Sequence, residues 1–142
     1  TAQDNSFQPR EISRGLVVLL GIAKGDTEEN AKWLSDKIIH LRIFPDEKGK
    51  FDKSVKDVSG EILVISQFTL LGDCRGGRRP DFTKAASPDE AKLLYEKFIS
   101  VLQNSGLTVK SGEFGALMLV EIYNDGPVTL IIDSEIPRHA KA

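Results

Sequence analysis

The sequence predicts a single α+β domain in which apolar strands combine with two helices. Two apolar runs, residues 16–22 and 62–65, are typical of strands that are buried on both faces. Two other segments, residues 26–40 and 87–105, place apolar side chains at helical spacing behind a capping residue. A length of 142 residues is enough for one domain with one substantial core.

The first helix is predicted to begin at Asp26 and to run to His40. Asp26 is a favourable N-cap, and Glu29 follows three residues later, as in a capping box. The stripe expected to face the core consists of Ala31, Leu34, Ile38 and Leu41. His40 is interpreted as a surface residue of the last turn, because no second metal-ligating side chain accompanies it.

The second helix has the stronger start signal. Ser87 is a suitable N-cap, Pro88 is favoured at the first helical position, and Glu90 completes the capping pattern. Gly106 is expected to end this helix.

Shorter strands are predicted around the two helices, at residues 42–44, 107–109, 114–123 and 128–133. The last two are joined by a strong turn signal that contains Gly126 and Pro127. A Gly–Pro bond can adopt the cis form, although trans is the more frequent form of X–Pro bonds.

Composition excludes several classes of function. A net charge of −2 excludes general affinity for nucleic acid, so any RNA contact needs a local basic patch. The single cysteine, Cys74, cannot form an internal disulfide, which favours a reducing compartment and predicts a cytoplasmic location. No apolar run is long enough to span a membrane. His40 and His139 are placed unsuitably for a zinc site or a catalytic triad, so neither a metal nor a cofactor is predicted.

The apolar strand at residues 62–65 is followed by three neutral hydrogen-bonding side chains, Ser66, Gln67 and Thr69. Such groups at the end of a buried strand either satisfy nearby backbone or form a site held by a rigid element. Hydroxyls, a carboxamide and backbone N–H groups can orient a substrate and stabilise an oxyanion. Because no strong base accompanies them, the substrate would have to be labile or carry its own nucleophile.

A loop at residues 70–80 is rich in glycine and arginine. Residues 75–84 contain four cations and one anion, a net charge of +3, and the cations are Arg75, Arg78, Arg79 and Lys84. Arginine side chains on flexible backbone suit phosphate binding, and a solvated basic turn is the alternative. Phe82, beside this loop, either stacks on a base or fills the core.

Two motifs occur in order along the chain, Ser66-Gln67-Phe68-Thr69 and Asn124-Asp125-Gly126-Pro127-Val128-Thr129. Together they resemble the signature motifs of the D-aminoacyl-tRNA deacylases. Stretches at 41–44, 77–82 and 112–116 are similar to the same family, so that the resemblance covers about residue 11 to residue 133.

The resemblance implies a single deacylase domain over residues 1–142, with β-sheets closing into a barrel-like core and two flanking helices. It implies hydrolysis of the ester that joins a D-amino acid, or mischarged glycine, to the terminal tRNA ribose. The implied partners are this tRNA and a second copy of the chain in a homodimer.

The resemblance also assigns roles to residues. The implied catalytic group is Ser66, Gln67, Phe68 and Thr69, in which Gln67 and the N–H groups of Phe68 and Thr69 stabilise the oxyanion. Thr69 as a nucleophile is the alternative. The implied substrate-binding group is Gly126, Pro127, Phe82, Asn124, Val128 and Thr129. Within it, a cis Gly126–Pro127 unit enters the site of the other subunit and rejects L side chains, and Phe82 holds the terminal adenosine. The implied tRNA-phosphate contacts are Arg75, Arg78, Arg79 and Lys84.

Residues 1–14 depart from the family pattern, because they contain no Gln-Arg-Val sequence, whose arginine supports the Gly-Pro motif in relatives. The first family strand is therefore expected to be missing, and residues 134–142 are expected to form a polar tail. Two other functions are compatible with the sequence. One is a non-catalytic protein that binds tRNA or aminoacyl-adenosine, and the other is a hydrolase of small D-amino-acid esters or N-modified amino acids.

Overall fold

The computed structural model describes residues 8–134. The predictions for residues 1–7, and for the tail at residues 135–142 with His139, lie outside the described residues. The described elements are β1 (Gly15–Leu20), α1 (Glu28–His40), β2 (Phe44–Pro45), β3 (Phe51–Lys53), β4 (Glu61–Ser66), a 3₁₀ helix (Phe68–Leu71), α2 (Pro88–Asn104) and β5 (Thr108–Ser111).

The main sheet has three parallel strands in the order β1-β4-β5. Residue Gly15 of β1 lies opposite Glu61 of β4, and Thr108 of β5 lies opposite the same residue. β2 and β3 form a separate antiparallel pair. Since β4 is the central strand, its apolar run is buried as the sequence predicts, and Ile62 and Val64 have no exposed surface.

Both helices contribute to one core together with the sheet. α1 buries Ile38 and Ile39, and α2 buries Phe98 and Leu102. These side chains belong to the same apolar cluster as Ile62 and Val64 of β4. The α+β class with two helices is therefore confirmed.

The helix ends follow the predicted chemistry with one correction. Ser87 caps α2, where its hydroxyl accepts a hydrogen bond from the Glu90 N–H at 3.4 Å. The predicted N-cap of α1, Asp26, is wrong, because Thr27 holds that position and its N–H donates to Asn30 Oδ1 at 2.9 Å. Asp26 instead accepts from the Ala23 N–H at 2.9 Å, and so it closes the turn before the helix.

The strands predicted at residues 114–123 and 128–133 are wrong for the described chain. Neither segment belongs to a strand, and only Met118 lies in a single β-bridge. Exposure still alternates from residue 113 to residue 120, as it does along a strand with one face packed. A strand needs a neighbouring backbone to hydrogen-bond with, and residues 8–134 supply no ladder to either segment.

The predicted barrel-like closure is also wrong for residues 8–134, where the two sheets remain separate. Closure would need further paired strands at the edges of the main sheet, and residues 8–134 supply no ladder to the two segments that could form them. No helix in the described part of the chain has both the length and the apolar character that crossing a membrane requires.

Tyr95 of α2 connects the helix to the sheet. Its buried hydroxyl lies 3.1 Å from the Val64 carbonyl oxygen and 3.4 Å from the Gly112 carbonyl oxygen. Burial raises the pKa of the Tyr95 hydroxyl, so that it remains a protonated donor at neutral pH.

Tyr95→Phe is expected to lower the free energy of unfolding by about 1 kcal/mol, because a buried hydrogen bond is lost while packing is retained. Urea unfolding followed by circular dichroism measures the change. Tyr123→Phe is the matched control, since the Tyr123 side chain is 95% exposed. Equal effects of the two variants would contradict the role of the buried hydroxyl.

Candidate active site

The candidate site begins where β4 leaves the core. Ser66, the last residue of β4, is half-buried, and the Gln67 N–H donates to the Leu20 carbonyl oxygen at 2.8 Å. Leu20 is the last residue of β1, and the two strands are parallel. The hydrogen bond therefore sets the point at which the chain turns out of the sheet, at the common carboxyl edge of β1 and β4.

The next residues form the 3₁₀ helix, which the sequence analysis treated as part of a strand end and a loop. The Leu70 N–H donates to the Gln67 carbonyl oxygen at 3.2 Å, and the Gly72 N–H donates to the Thr69 carbonyl oxygen at 3.0 Å. The first N–H groups of such a helix have no acceptor within it. The N–H groups of Phe68 and Thr69 are in this position, and no residue within 8–134 accepts from them.

Gly21 allows this helix to pack against the end of β1. A Cβ atom on Gly21 would lie 2.6 Å from Leu71 Cδ2 and 3.2 Å from Leu70 Cβ. The close approach explains why the apolar run after β1 contains a glycine, a requirement that the pattern of the sequence did not reveal.

Gln67 and Thr69 are joined directly. The Gln67 Nε2 amide donates to Thr69 Oγ1 at 2.6 Å. Thr69 therefore has a carboxamide as its hydrogen-bonding partner, and no carboxylate or imidazole within residues 8–134 bonds to its hydroxyl. His40, the one histidine in that range, lies in the last turn of α1, where its Nδ1 is 2.8 Å from the Asp36 carbonyl oxygen. This geometry favours positioning over nucleophilic attack as the role of Thr69.

Two phenylalanines form an aromatic surface beside these residues. The rings of Phe68 and Phe82 meet edge to face, with centroids 5.3 Å apart and an interplanar angle of 68°. Phe82 is 36% exposed and Phe68 is 56% exposed. Phe82 is therefore neither a core side chain nor a free ring, because it is held by Phe68 while part of its surface stays open to solvent.

Gly72 lies under the Phe82 ring, where a Cβ atom would be 2.8 Å from Phe82 Cε1 and 3.0 Å from the Thr69 carbonyl oxygen. The resemblance implies that Phe82 holds the terminal adenosine of aminoacyl-tRNA. If Phe82 has this role, Gly72→Ala should displace the ring and raise KM for that substrate about fivefold to tenfold, within the range of one stacking contact. Steady-state deacylation kinetics measure this change. Gly76→Ala is the control, since a Cβ atom there meets nothing within 4 Å. An unchanged KM in Gly72→Ala would contradict the proposed contact with Phe82.

The basic loop is closed by a pair of backbone hydrogen bonds. The Asp73 N–H donates to the Asp81 carbonyl oxygen at 2.8 Å, and the Asp81 N–H donates to the Asp73 carbonyl oxygen at 2.9 Å. Residues 74–80 between them are all exposed. These two hydrogen bonds fix the base of the loop, and Phe82 directly follows Asp81 in the sequence.

Arg75 differs from the other cations of this loop. Its Nε and Nη2 atoms donate to the two carboxylate oxygens of Asp73 at 2.9 and 2.7 Å. These hydrogen bonds lower the pKa of Asp73 to about 2 and raise the pKa of Arg75. With Asp73 included, residues 73–84 carry a net charge of +2. The side chains of Arg78 and Arg79 are exposed and make no ion pair within the described range, so they are better placed than Arg75 to meet a phosphate.

The second motif lies on the surface of the chain. The Gly126–Pro127 peptide bond is cis, in agreement with the form that the resemblance implies. The turn is held by its own residues, since Asn124 Nδ2 donates to Thr129 Oγ1 at 3.0 Å and the Gly126 N–H donates to the Asn124 carbonyl oxygen at 3.0 Å. Val128 is half-buried, and residues 121–127 are all exposed.

The two motifs are not joined within one chain. No hydrogen bond among the described residues links 124–129 to 66–69, and a Cβ atom on Gly126 would meet no atom within 4 Å. The structure therefore brings together Gln67, Thr69, Phe68 and Phe82, whereas it leaves the Gly126–Pro127 unit open to solvent.

Comparison with known proteins decides the family. The family model described as D-Tyr-tRNA(Tyr) deacylase matches residues 4–133. The chain belongs to the D-Tyr-tRNA(Tyr) deacylase family. It is 58% identical over 123 residues to the D-aminoacyl-tRNA deacylase of Thermotoga petrophila, covering 87% of this chain and 83% of that protein. It is 60% identical over 124 residues to that of Halalkalibacterium halodurans, covering 87% and 85%.

Two solved structures are similar to this chain in fold. The c-Myc DNA Unwinding Element Binding Protein superposes with a TM-score of 0.78 and 45% identity, covering 84% of this chain and 81% of that one. A probable eukaryotic D-amino acid tRNA deacylase superposes with a TM-score of 0.59 and 18% identity, covering 70% and 73%. The latter likeness concerns the fold alone.

Sequence reasoning about this deacylase family member missed two contacts of the site. The ion pair between Asp73 and Arg75 could have been predicted from the sequence, because the two residues are two positions apart within one turn. No sequence feature predicts the contact between Phe68 and Phe82, because the whole basic loop separates the two residues and they meet only when that loop is closed.

Proposed function

We propose that the protein hydrolyses the ester of D-aminoacyl-tRNA at the site formed by residues 66–69. As a member of its family the protein is a D-aminoacyl-tRNA deacylase, an ester hydrolase. The observation that supports the site best is the pair of N–H groups, from Phe68 and Thr69, that have no acceptor within residues 8–134 and lie beside the Gln67 carboxamide.

These donors suit the reaction. Attack on an ester carbonyl places negative charge on its oxygen, and oriented N–H groups stabilise that charge without reorganising. The Gln67 bond to Thr69 holds the 3₁₀ helix in one arrangement while the ester is bound. The neighbouring ribose hydroxyl of the substrate can assist the cleavage of an aminoacyl ester. Residues 66–69 then need to position the ester and stabilise the oxyanion, and Thr69 need not act as a nucleophile.

The surface beside the site matches the rest of the substrate. Phe82, supported by Phe68, offers a partly exposed aromatic ring on which the terminal adenosine could stack. Arg78, Arg79 and Lys84 are exposed cations that can contact phosphates without reading sequence, with Arg75 held by Asp73. Because the overall net charge is −2, affinity for tRNA needs a local basic patch such as this loop.

The Gly126–Pro127 unit would complete the site from a second copy of the chain. Two features support a homodimer. This unit is open to solvent, and several large apolar side chains that precede or follow it in the sequence are exposed, namely Leu117, Leu119, Ile122, Tyr123, Leu130 and Ile131. The two carbonyl groups of the unit would bind the substrate amino group and leave no room for an L side chain. Glycine, which has no side chain, would pass the same filter. The cytoplasmic location remains a prediction.

Deacylation of D-Tyr-tRNA and L-Tyr-tRNA in parallel tests this proposal. We expect the D ester to disappear rapidly while the L ester decays at the rate seen without protein. Equal loss of both esters would overturn the chiral filter. Tight binding of both with no loss of either would instead favour the non-catalytic binding protein. Light scattering after size exclusion measures the mass in solution, and a monomer that retains D specificity would contradict a site built from two subunits.

A further inference from the structure

We infer that Arg10 is a positioning residue for the site at residues 66–69, acting through the backbone of Gly112. Arg10 lies in the segment before β1 that departs from the family pattern. This inference rests on the proposed assignment of the reaction to residues 66–69.

Within residues 8–134, Arg10 contacts polar atoms of residues 111–113, about 100 positions later in the sequence. Its Nη1 atom donates to the Ser111 carbonyl oxygen at 2.8 Å and to the Gly112 carbonyl oxygen at 3.1 Å. Its Nη2 atom is 3.2 Å from Glu113 Oε2. Because a guanidinium is planar and holds its donors at fixed angles, these contacts define the path of the chain as it leaves β5.

Gly112 is the point at which this segment meets the central strand. Its N–H donates to the Val64 carbonyl oxygen at 3.0 Å, and its carbonyl oxygen lies within reach of the Tyr95 hydroxyl at 3.4 Å. The same tyrosine hydroxyl lies 3.1 Å from the Val64 carbonyl oxygen. Arg10, Tyr95 and Val64 therefore meet at one buried glycine.

The packing at Gly112 transmits its position to the site. A Cβ atom on Gly112 would lie 3.0 Å from Ile65 Cδ1 and 2.7 Å from Met118 Sδ. Ile65 directly precedes Ser66, and Val64 precedes it by one more residue. A displacement of Gly112 would thus move the last residues of β4, from which Gln67 and the 3₁₀ helix project.

A second contact of the same N-terminal segment provides a matched control. Lys110 Nζ donates to the Glu11 carbonyl oxygen at 2.8 Å. This contact also ties the segment to β5, but it does not involve Gly112. A residue that merely docks the segment should behave like Lys110, whereas a positioning residue should not.

The experiment compares Arg10→Ala, Arg10→Lys and Lys110→Ala in the full chain. We expect Arg10→Ala to lower kcat for D-Tyr-tRNA about tenfold while KM changes less than twofold. Arg10→Lys should recover part of kcat, since an ammonium can still donate to one of the two carbonyl groups. Lys110→Ala should keep the kcat of the parent protein. In ¹⁵N-labelled protein, the amide resonances of Gly112 and Thr69 should shift in Arg10→Ala and not in Lys110→Ala.

Two results would overturn the inference. One is a kcat of Arg10→Ala within twofold of the parent value, and the other is an equal loss in Lys110→Ala. A Gln67→Ala variant measured in the same series separates this failure from failure of the proposed site. If Gln67→Ala loses activity and Arg10→Ala does not, only the role of Arg10 is wrong. If Gln67→Ala keeps full activity, the assignment of the reaction to residues 66–69 is wrong.

Discussion

Gln67→Ala is expected to lower kcat for D-aminoacyl-tRNA by about 100-fold, a loss typical of removing one oxyanion-stabilising group. KM should change little, because the proposed site assigns Gln67 to the reacting ester and Gln67 lies outside the basic loop. Single-turnover deacylation of D-Tyr-tRNA measures the chemical step directly. Gln103→Ala is the control, since Gln103 is an exposed glutamine of α2. If Gln67→Ala keeps the rate constant of the parent protein, the Gln67 carboxamide has no role in the chemical step.

Thr69 allows the same experiment to separate two mechanisms. Gln67 Nε2 donates a hydrogen bond to Thr69 Oγ1 at 2.6 Å. If Thr69 only positions the substrate, Thr69→Val and Gln67→Ala each remove this same hydrogen bond. The double variant should then lose little more activity than Gln67→Ala alone. If Thr69 is a nucleophile, Thr69→Val abolishes turnover and Thr69→Ser restores it. That outcome would contradict the positioning role.

The double variant Arg78→Ala/Arg79→Ala is expected to weaken tRNA binding by about tenfold at moderate salt. It should reduce the slope of log affinity against log salt concentration by roughly 1.5 to 2, because two phosphate contacts are lost. Fluorescence anisotropy with labelled tRNA over a salt series measures both quantities. The value of kcat at saturating substrate should stay close to that of the parent protein.

Arg75→Ala is the matched control for this prediction. The charge of Arg75 is already balanced by Asp73, so that its removal should change affinity and salt slope less than removal of Arg78 or Arg79. Equal effects of the three arginines would show that the ion pair opens when tRNA binds. If cleavage of D-aminoacyl-tRNA were insensitive to all three, the substrate would be a small ester and the tRNA contact would be wrong.

Local signals predicted a substantial part of this structure. The apolar run of β4 and the capping residues of α2 are confirmed because strand burial and helix capping depend on neighbouring residues. The cis form of the Gly126–Pro127 bond and the family itself were recognised from two short motifs. The hydroxyls and the carboxamide of the proposed site were also visible in the sequence at the end of the apolar run.

Segments whose structure depends on a distant partner were predicted poorly. Residues 114–123 and 128–133 have the composition of strands, yet the described chain gives them no ladder, and the predicted barrel fails with them. A strand pattern specifies which side chains can face a core, whereas the hydrogen bonds of a strand come from another segment.

The sequence by itself determined the helices, the central strand and the two motifs, because each is encoded by residues that are adjacent or one helical turn apart. Only the tertiary structure decided how the site is built. It placed Phe68 against Phe82 and carried Arg10 to the backbone of Gly112. These contacts join residues across closed loops and neighbouring strands, so they arise from the packing of the whole domain and leave no periodic signal in the chain.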